Sequence, residues 1–522
     1  MVVKAWTRDA GRGSIALVEL TMLQDETWWS GAVADGDDMP YGGFVFDRDL
    51  HRSIGHTQAN PVLLSSHGRF MWSESGFALQ VEDFTVRAEC ATDGEVVVGS
   101  GGSCLRDAFL AASRTHFPAS GTSPDVAMFS APQYNTWIEL VYDQTQKRIL
   151  DYAHGIVDSG YPPGVLMIDD NWQEDYGVWR FHPGRFPDPQ AMLDELHQLG
   201  FTVMLWVCPF LSPDSATFRA AERDGLLLRA ADGTTAIRRW WNGYSAVLDL
   251  TNPDTVDWLH DRLAALRTDY GIDGFKFDAG DPRFYRGTDR SHTPATPNQQ
   301  CEAWAGIGLT YPLNEYRACW KHAGQPLAQR LKDTVPTWGR GGLASLIPHG
   351  LAQGLAGYAF NCPDMVGGGL AEDFSVDGFH IDEELFVRWM QCSALFPMMQ
   401  LSLAPWRVLP PERATICRTT VETRLELTPT ILELVAHAAR TGEPVMRSME
   451  YVFPHQGLAR ITDQFMLGDD ILVAPVLTKG SHQREVAFPA GVWLGDDGST
   501  VEGPARTMIE APLSRLPVYR RT

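Results

Sequence analysis

Hydrophobic and polar positions change rhythm twice along the chain. Up to residue 122, short apolar runs alternate with turn-forming stretches at Asp35–Asp38, Ser73–Gly76 and Thr92–Gly94. No long helical period appears before Leu105. Such runs predict an N-terminal β-sandwich. Ser120-Gly-Thr-Ser-Pro has the composition of a linker. Residues 123–442 then alternate strand-like and helix-like patterns. The strand-like runs are Thr136–Leu140, Val165–Ile168, Val203–Val207, Gly274–Phe277, Asn314–Trp320, Leu327–Leu331, Gly357–Asn361 and Leu395–Leu401. Helical patterns at Thr145–Ser159, Gln190–Leu199 and Thr255–Tyr270 separate several of them. Eight strands with helical crossovers predict an α/β chain built on a (β/α)8 TIM barrel, with chemistry at the C-terminal strand ends. Long insertions follow Phe210 and Asp281, as site-shaping loops often do. From 443 to 522 a β pattern returns, in FMLGDDILVAPVL (465–477) and REVAFPAGVWL (484–494), and predicts a small C-terminal β domain.

The stretch YGIDGFKFDAGD, residues 270–281, is the most informative. On a strand, Lys276 and Asp278 share one face while Phe275 and Phe277 take the other. A lysine and an aspartate on a buried strand must satisfy each other or a ligand, because lone buried charges are costly. They are either a salt bridge that only fixes the strand or part of a site.

Composition narrows the partners. At 522 residues the chain should hold two or three domains. A net charge of -22 argues against nucleic acid and anionic membranes. The eight cysteines are scattered singly and read as reduced core thiols, which leads to the expectation of a cytoplasmic protein. The N-terminus has no apolar signal core, and no run is long enough to span a bilayer. The 17 Trp and 24 Phe provide rings for core packing or for stacking on sugars.

Candidate chemistry sits at the predicted strand ends. Asp169 and Asp170, followed by Trp172, suit a polyhydroxylated ring, with carboxylates on hydroxyls and an indole on the apolar face. A divalent metal is less favoured, because the 15 His form no ligand spacing. Arg238-Arg-Trp-Trp-Asn-Gly places Trp240 and Trp241 in a loop, as a pocket wall or as a packed loop core. Asp333 stands across the barrel mouth from Asp278. Two carboxylates about 5–5.5 Å apart are what retaining glycoside hydrolysis requires. One must stay ionised, as Lys276 favours for Asp278. The other must hold its proton, and for Asp333 that needs burial or the Asp278 charge.

Taken together these residues resemble glycoside hydrolase family 31. The resemblance is carried by IDDNW (168–172), GFKFDAGD (274–281), the spacing of Arg317 and Asp333, PDMVGGG (363–369), ELFVRWMQ (384–391) and DQFMLGDDILVAPVL (463–477). Within the family the RWWNG loop, KFDAG strand and PDMVGG turn are most similar to the myogenesis-regulating glycosidase branch, which is associated with α-galactosides. The resemblance implies a retaining α-glycosidase that needs no cofactor. It makes Asp278 the nucleophile and Asp333 the acid/base. Arg317, Lys276 and Trp241 line the sugar subsite, and Asp169 and Asp170 take distal hydroxyls. Trp137 adds a wall, and Asp364 reaches the pocket rim. Two departures weigh against an α-glucosidase: Gln400-Leu401-Ser402 stands where an Arg-x-His element is usual, and Asp169-Asp170 where Asp-x-Asp is. Glucosides, xylosides and sulfoquinovosides are the alternative substrates, and a non-catalytic sugar-binding protein is the alternative of another class. The insertion 282–312 is a candidate subsite wall or a dimer contact in a homo-oligomer.

Overall fold

The computed structural model describes residues 14–51, 58–90, 94–374 and 380–522, and the strand Val3–Asp9; residues 3–9 and 14–15 are described as backbone only. At its centre lie eight short parallel strands: β1 (Gln133–Asn135), β2 (Val165–Ile168), β3 (Thr202–Val207), β4 (Gly274–Phe277), β5 (Asn314–Tyr316), β6 (Gln329–Arg330), β7 (Asn361–Cys362) and β8 (Gln400–Leu401). Their order is β7-β6-β5-β4-β3-β2-β1-β8, and a parallel bridge from Met365 to Gln400 joins the two ends into a barrel. Every residue of β2 and β4 is buried, as in parallel sheets covered on both faces.

The crossover helices carry their own boundary signals. Gln146–Asp158 begins where the Thr145 side chain accepts from the Arg148 amide, and Pro189–Gln198 where Asp188 accepts from Ala191. Pro253–Tyr270 starts behind an Asn252 cap with proline in its first turn, and ends at Gly271 with φ of 77°. That glycine drops the chain into β4.

Two antiparallel sheets form the N-terminal sandwich. One holds Val3–Asp9, Ser14–Thr21, Thr85–Cys90, Ala78–Glu82 and Phe46–Asp49; the other holds Val97–Ser100, Arg69–Trp72, Val62–Ser65 and Trp28–Trp29. The expected turn at Asp35–Asp38 falls in a 3-10 turn spanning Val33–Asp38. Thr92 and Asp93 of the expected turn at 92–94 lie outside the described residues. The C-terminal residues from Met446 form a six-stranded antiparallel sheet over a core of Met449, Phe453, Phe488, Trp493 and Tyr519. No helix among the described residues is long and apolar enough to cross a membrane.

Several barrel strands are shorter than the apolar runs that predict them. The run Thr136–Leu140 is not β1 but a helical turn, Trp137–Leu140, just after it. Asn135 Oδ1 accepts from the Trp137 amide at 2.8 Å, and Ser402 Oγ accepts from Ile138 at 2.7 Å. These side-chain acceptors turn the backbone out of the sheet. The run Asn314–Trp320 splits, because Cys319–Trp320 leaves the barrel to pair with Gln58–Ala59. In the runs around β6, β7 and β8 only two residues each join the ladder.

Candidate active site

The site grows from the end of β4. Ala279 and Gly280 have φ of 55° and 71°, so the chain reverses immediately after Asp278. The reversal brings the Ala279 amide onto Asp278 Oδ1 at 2.9 Å. Gly280 is required here: a Cβ at its position would lie 2.2 Å from Cδ1 of Trp304. Trp206, inside β3, donates from Nε1 to Asp278 Oδ2 at 2.8 Å.

Arg317, one residue past β5, joins the acids of neighbouring strands. Its Nε lies 3.3 Å from Asp278 Oδ1, Nη2 lies 3.2 Å from Asp281 Oδ2, and Nη1 lies 3.1 Å from Asp333 Oδ2. The guanidinium also stacks on Trp241, 4.8 Å from the ring centre. Arg330, at the end of β6, reaches Asp333 Oδ1 at 2.9 Å and Asp364 Oδ1 at 2.5 Å from the same nitrogen. Asp333 is therefore held from two sides, yet its side chain keeps 21% exposure against 9% for Asp278.

These cations decide protonation. Burial disfavours the charge on Asp278, but Arg317, Lys276, Arg330 and the Trp206 hydrogen bond outweigh it and hold its carboxyl well below the usual range. Burial also raises Asp333, with the Asp278 charge in the same direction. Arg330 and Arg317 overcome both, so the Asp333 carboxyl sits below its ordinary value. The raised value expected for an acid is not present in this arrangement.

Lys276 does not pair with Asp278, as sharing a strand face suggested. Its Nζ donates to Asp169 Oδ2 at 2.6 Å, and the Asp170 amide donates to Asp169 Oδ1 at 2.8 Å. Asp169 is thereby committed to the pocket floor. Asp170 Oδ1 accepts from Tyr176 at 2.9 Å, and its Oδ2 accepts from Asn242 at 2.6 Å and Trp241 at 3.3 Å. Burial, then the Asp169 charge, pushes the Asp170 carboxyl up to about 7 against the hydrogen bonds of Tyr176 and Trp241.

That shift has a sign. A carboxyl raised on folding stabilises the fold fully below its ordinary value of 3.8, and loses that contribution as pH rises through about 7. Asp364, raised to about 6 by burial and by the Asp333 charge, acts in the same direction. The expected result is a melting temperature that falls between pH 5 and 8, with a smaller fall in Asp170→Asn. Differential scanning calorimetry of both proteins across that range checks it, and equal slopes would remove Asp170 as a source.

A pocket of about 510 Å³ opens over these strand ends. Trp137, Asp169, Asp170, Trp241, Lys276, Asp278, Arg317 and Asp333 all line it, with Trp206, Arg283, Arg330, Lys332 and Glu372. Trp137 is fixed by a hydrogen bond from Nε1 to the Gly369 carbonyl at 2.9 Å. Three expected positions differ. Asp364 is 0% exposed and lies beneath the rim, accepting from Arg330 and from the amide and hydroxyl of Thr334. Trp172 is buried against Phe181 and donates to the Trp206 carbonyl, so it offers no stacking face. Trp240 packs against Tyr176, Phe210 and Trp206 as the core of its loop, leaving Trp241 alone on the pocket side. Gln400 is spent on Gln133 and Glu315 under the floor. Sequence reasoning missed Trp206, Tyr176 and Asp281 as supports. Only the adjacency of Asp281 to the DAG turn signalled any of them. Among the described residues, no three His, Cys, Asp or Glu side chains are grouped to hold a metal ion.

Comparison with known proteins follows the same lines. The model of the glycosyl hydrolases family 31 TIM-barrel domain matches residues 127–434, and that of the glycosyl hydrolase family 31 C-terminal domain matches 442–522. The chain is 32% identical over 409 residues to the myogenesis-regulating glycosidase of Mus musculus, covering 77% of this chain and 57% of that protein. It is 26% identical over 409 residues to α-glucosidase 2 of Bacillus thermoamyloliquefaciens, covering 72% of this chain and 50% of that one. The chain thus spans about half the length of these curated relatives. In fold it matches a Flavobacterium johnsoniae family 31 dextranase complexed with glucose, with a TM-score of 0.86 at 18% identity over 98% of this chain and 67% of that one.

Proposed function

The chain belongs to glycoside hydrolase family 31, and from that premise we propose that it is a retaining α-glycosidase acting on terminal α-galactosides. The observation that carries the mechanism is Arg317, which touches Asp278 and Asp333 with one guanidinium, so both carboxylates face one pocket. Asp278, ionised and held by Trp206 and the Ala279 amide, attacks the anomeric carbon. Asp333 protonates the departing oxygen. A sugar seated over Asp333 takes water from the part of the side chain that is still exposed, and loss of water favours the protonated form. Once Asp278 carries the glycosyl group its charge is gone. The Asp333 carboxyl then falls further, because the Asp278 charge was raising it. That change suits the second step, in which Asp333 takes a proton from water and the ester at Asp278 is hydrolysed.

The galactose reading rests on the branch the sequence resembles and on the acceptors at the inner wall. Asp170 and Trp241 line the pocket side by side, which supports a role in binding a hydroxyl on one face of a ring. The C4 hydroxyl of galactose is axial and that of glucose equatorial, so an acceptor fitted to one is left underpaired by the other. Such a loss is about 1–3 kcal/mol, or roughly tenfold to a few hundredfold in kcat/KM. The expected result is a preference of that size for aryl α-galactosides over α-glucosides, diminished in Asp170→Ala and in Trp241→Ala. A panel of aryl α-glycosides differing only at C4 and C6 tests it. A wild-type preference for the glucoside overturns the galactoside reading and leaves the catalytic pair untouched.

A further inference from the structure

The cations of the pocket fall into two groups. Lys276, Arg317 and Arg330 are each bound to carboxylates, at 2.6 Å, 3.1–3.3 Å and 2.5–2.9 Å. Arg283 and Lys332 are held more loosely. The nearest acid to Arg283 is Asp281, whose Oδ1 lies 3.9 Å away and whose other oxygen is taken by Arg317. The Arg283 guanidinium is steadied instead over the Phe284 ring, 4.8 Å from its centre, and its side chain stays 37% exposed. Burial, with Arg317, lowers its affinity for a proton against the Asp281, Asp278 and Asp333 charges. Lys332 makes no ion pair or hydrogen bond among the described residues, although it lines the same pocket. In a chain of net charge -22, a lysine with no ion pair among the described residues and an arginine with only a long one, both lining the pocket, are not a background of charge.

Their position assigns them to the leaving group. Lys332 is the chain neighbour of Asp333, and Arg283 pairs with Asp281, which Arg317 links to Asp333, so both border the carboxyl that meets the glycosidic oxygen. The glycone wall is assigned to Asp169, Asp170 and Trp241. Resting on the glycosidase reading above, we infer that the substrate carries an anionic group, a carboxylate, sulfate or phosphate, on its leaving-group side, bound by Arg283 and Lys332. Arg283 supplies a planar fork and Lys332 a point charge, in a pocket walled by protein where such contacts are stronger than in water.

The test uses two aryl α-galactosides of nearly equal shape, 4-carboxyphenyl and 4-carbamoylphenyl. The quantity read is the ratio of their kcat/KM values, so that intrinsic leaving ability cancels between wild type and variants. Wild type is expected to favour the carboxylate about tenfold or more at low salt, with the preference shrinking in 1 M NaCl. In Arg283→Ala/Lys332→Ala the ratio should fall about tenfold, and each single variant should fall part of the way. Arg283→Lys should recover part of the loss. A 4-sulfophenyl and a 4-phosphonophenyl glycoside then distinguish the kinds of anion. A wild-type ratio near that of the double variant overturns the inference. If α-galactosides are not turned over but α-glucosides or α-xylosides are, the same pair is made on that glycone and the galactose reading alone has failed. If no glycone is turned over, calorimetric binding of the pair decides. Tighter binding of the carboxylate, lost in the double variant, supports the anion site, and equal binding, or none, overturns it.

Discussion

Replacing Asp278 by alanine is expected to lower turnover of every α-glycoside substrate by about 10⁴-fold or more, with the fold intact. The size follows from what is lost. Without the carboxylate no covalent intermediate forms, and the oxocarbenium-like transition state loses the anion that faces it. The fold survives because the neighbours keep partners: Arg317 retains Asp281 and Asp333, and Lys276 retains Asp169. Circular dichroism and thermal unfolding should therefore resemble wild type while activity is gone. Asp278→Asn should be equally inactive, since an amide fills the space without a nucleophilic charge. An active alanine variant would show that another group attacks.

The second large effect belongs to Asp333. Asp333→Asn should lose about 10²–10⁴-fold in the first step on substrates with poor leaving groups, and far less on activated aryl glycosides. An activated aryl oxide departs without a proton, whereas an alkoxide does not. On activated substrates the slow step should become hydrolysis of the glycosyl-enzyme, because the base is missing, and a burst of phenol should precede slow turnover. Adding azide, which needs no deprotonation, should then speed release and give a glycosyl azide. Equal losses on both substrate kinds, with no burst, would take Asp333 out of the acid/base role. Arg330 and Arg317 each bind one oxygen of Asp333 and an amide can keep only one of these bonds, so Asp333→Ala is measured beside Asp333→Asn to separate the lost proton transfer from a shifted side chain.

Much of this was legible in the chain, and the illegible part has physical causes. β2, β3 and β4 are buried on both faces and four to six residues long, so apolar runs mark them clearly. β6, β7 and β8 contribute two residues each to the ladder, too few for any period, and their apolar flanks belong to loops and helices packed on the barrel. Thr136–Leu140 has the composition of a strand, and only the Asn135 and Ser402 side chains, one of them more than 260 positions away, make it a turn. The proposed catalytic aspartates were readable because each follows a strand. The partner of Lys276 was not, since strand alternation points to Asp278 and the barrel's curvature brings in Asp169 from β2. The same limit hid Asp364, whose place beneath the rim is set by Arg330. Arg283 and Lys332 carry no motif. What distinguishes them is that neither has a close ion pair, Arg283 lying 3.9 Å from Asp281 and Lys332 having none among the described residues.

The most direct measurement is trapping with a 2-deoxy-2-fluoro or 5-fluoro α-galactosyl fluoride, followed by peptide mapping by mass spectrometry. A retaining α-glycosidase with Asp278 as nucleophile should become inactivated as one fluorosugar accumulates on the peptide containing Asp278, with protection by galactose and no labelling of Asp278→Ala. A label on any other residue, or turnover that releases the β-anomer first with no label at all, would contradict it.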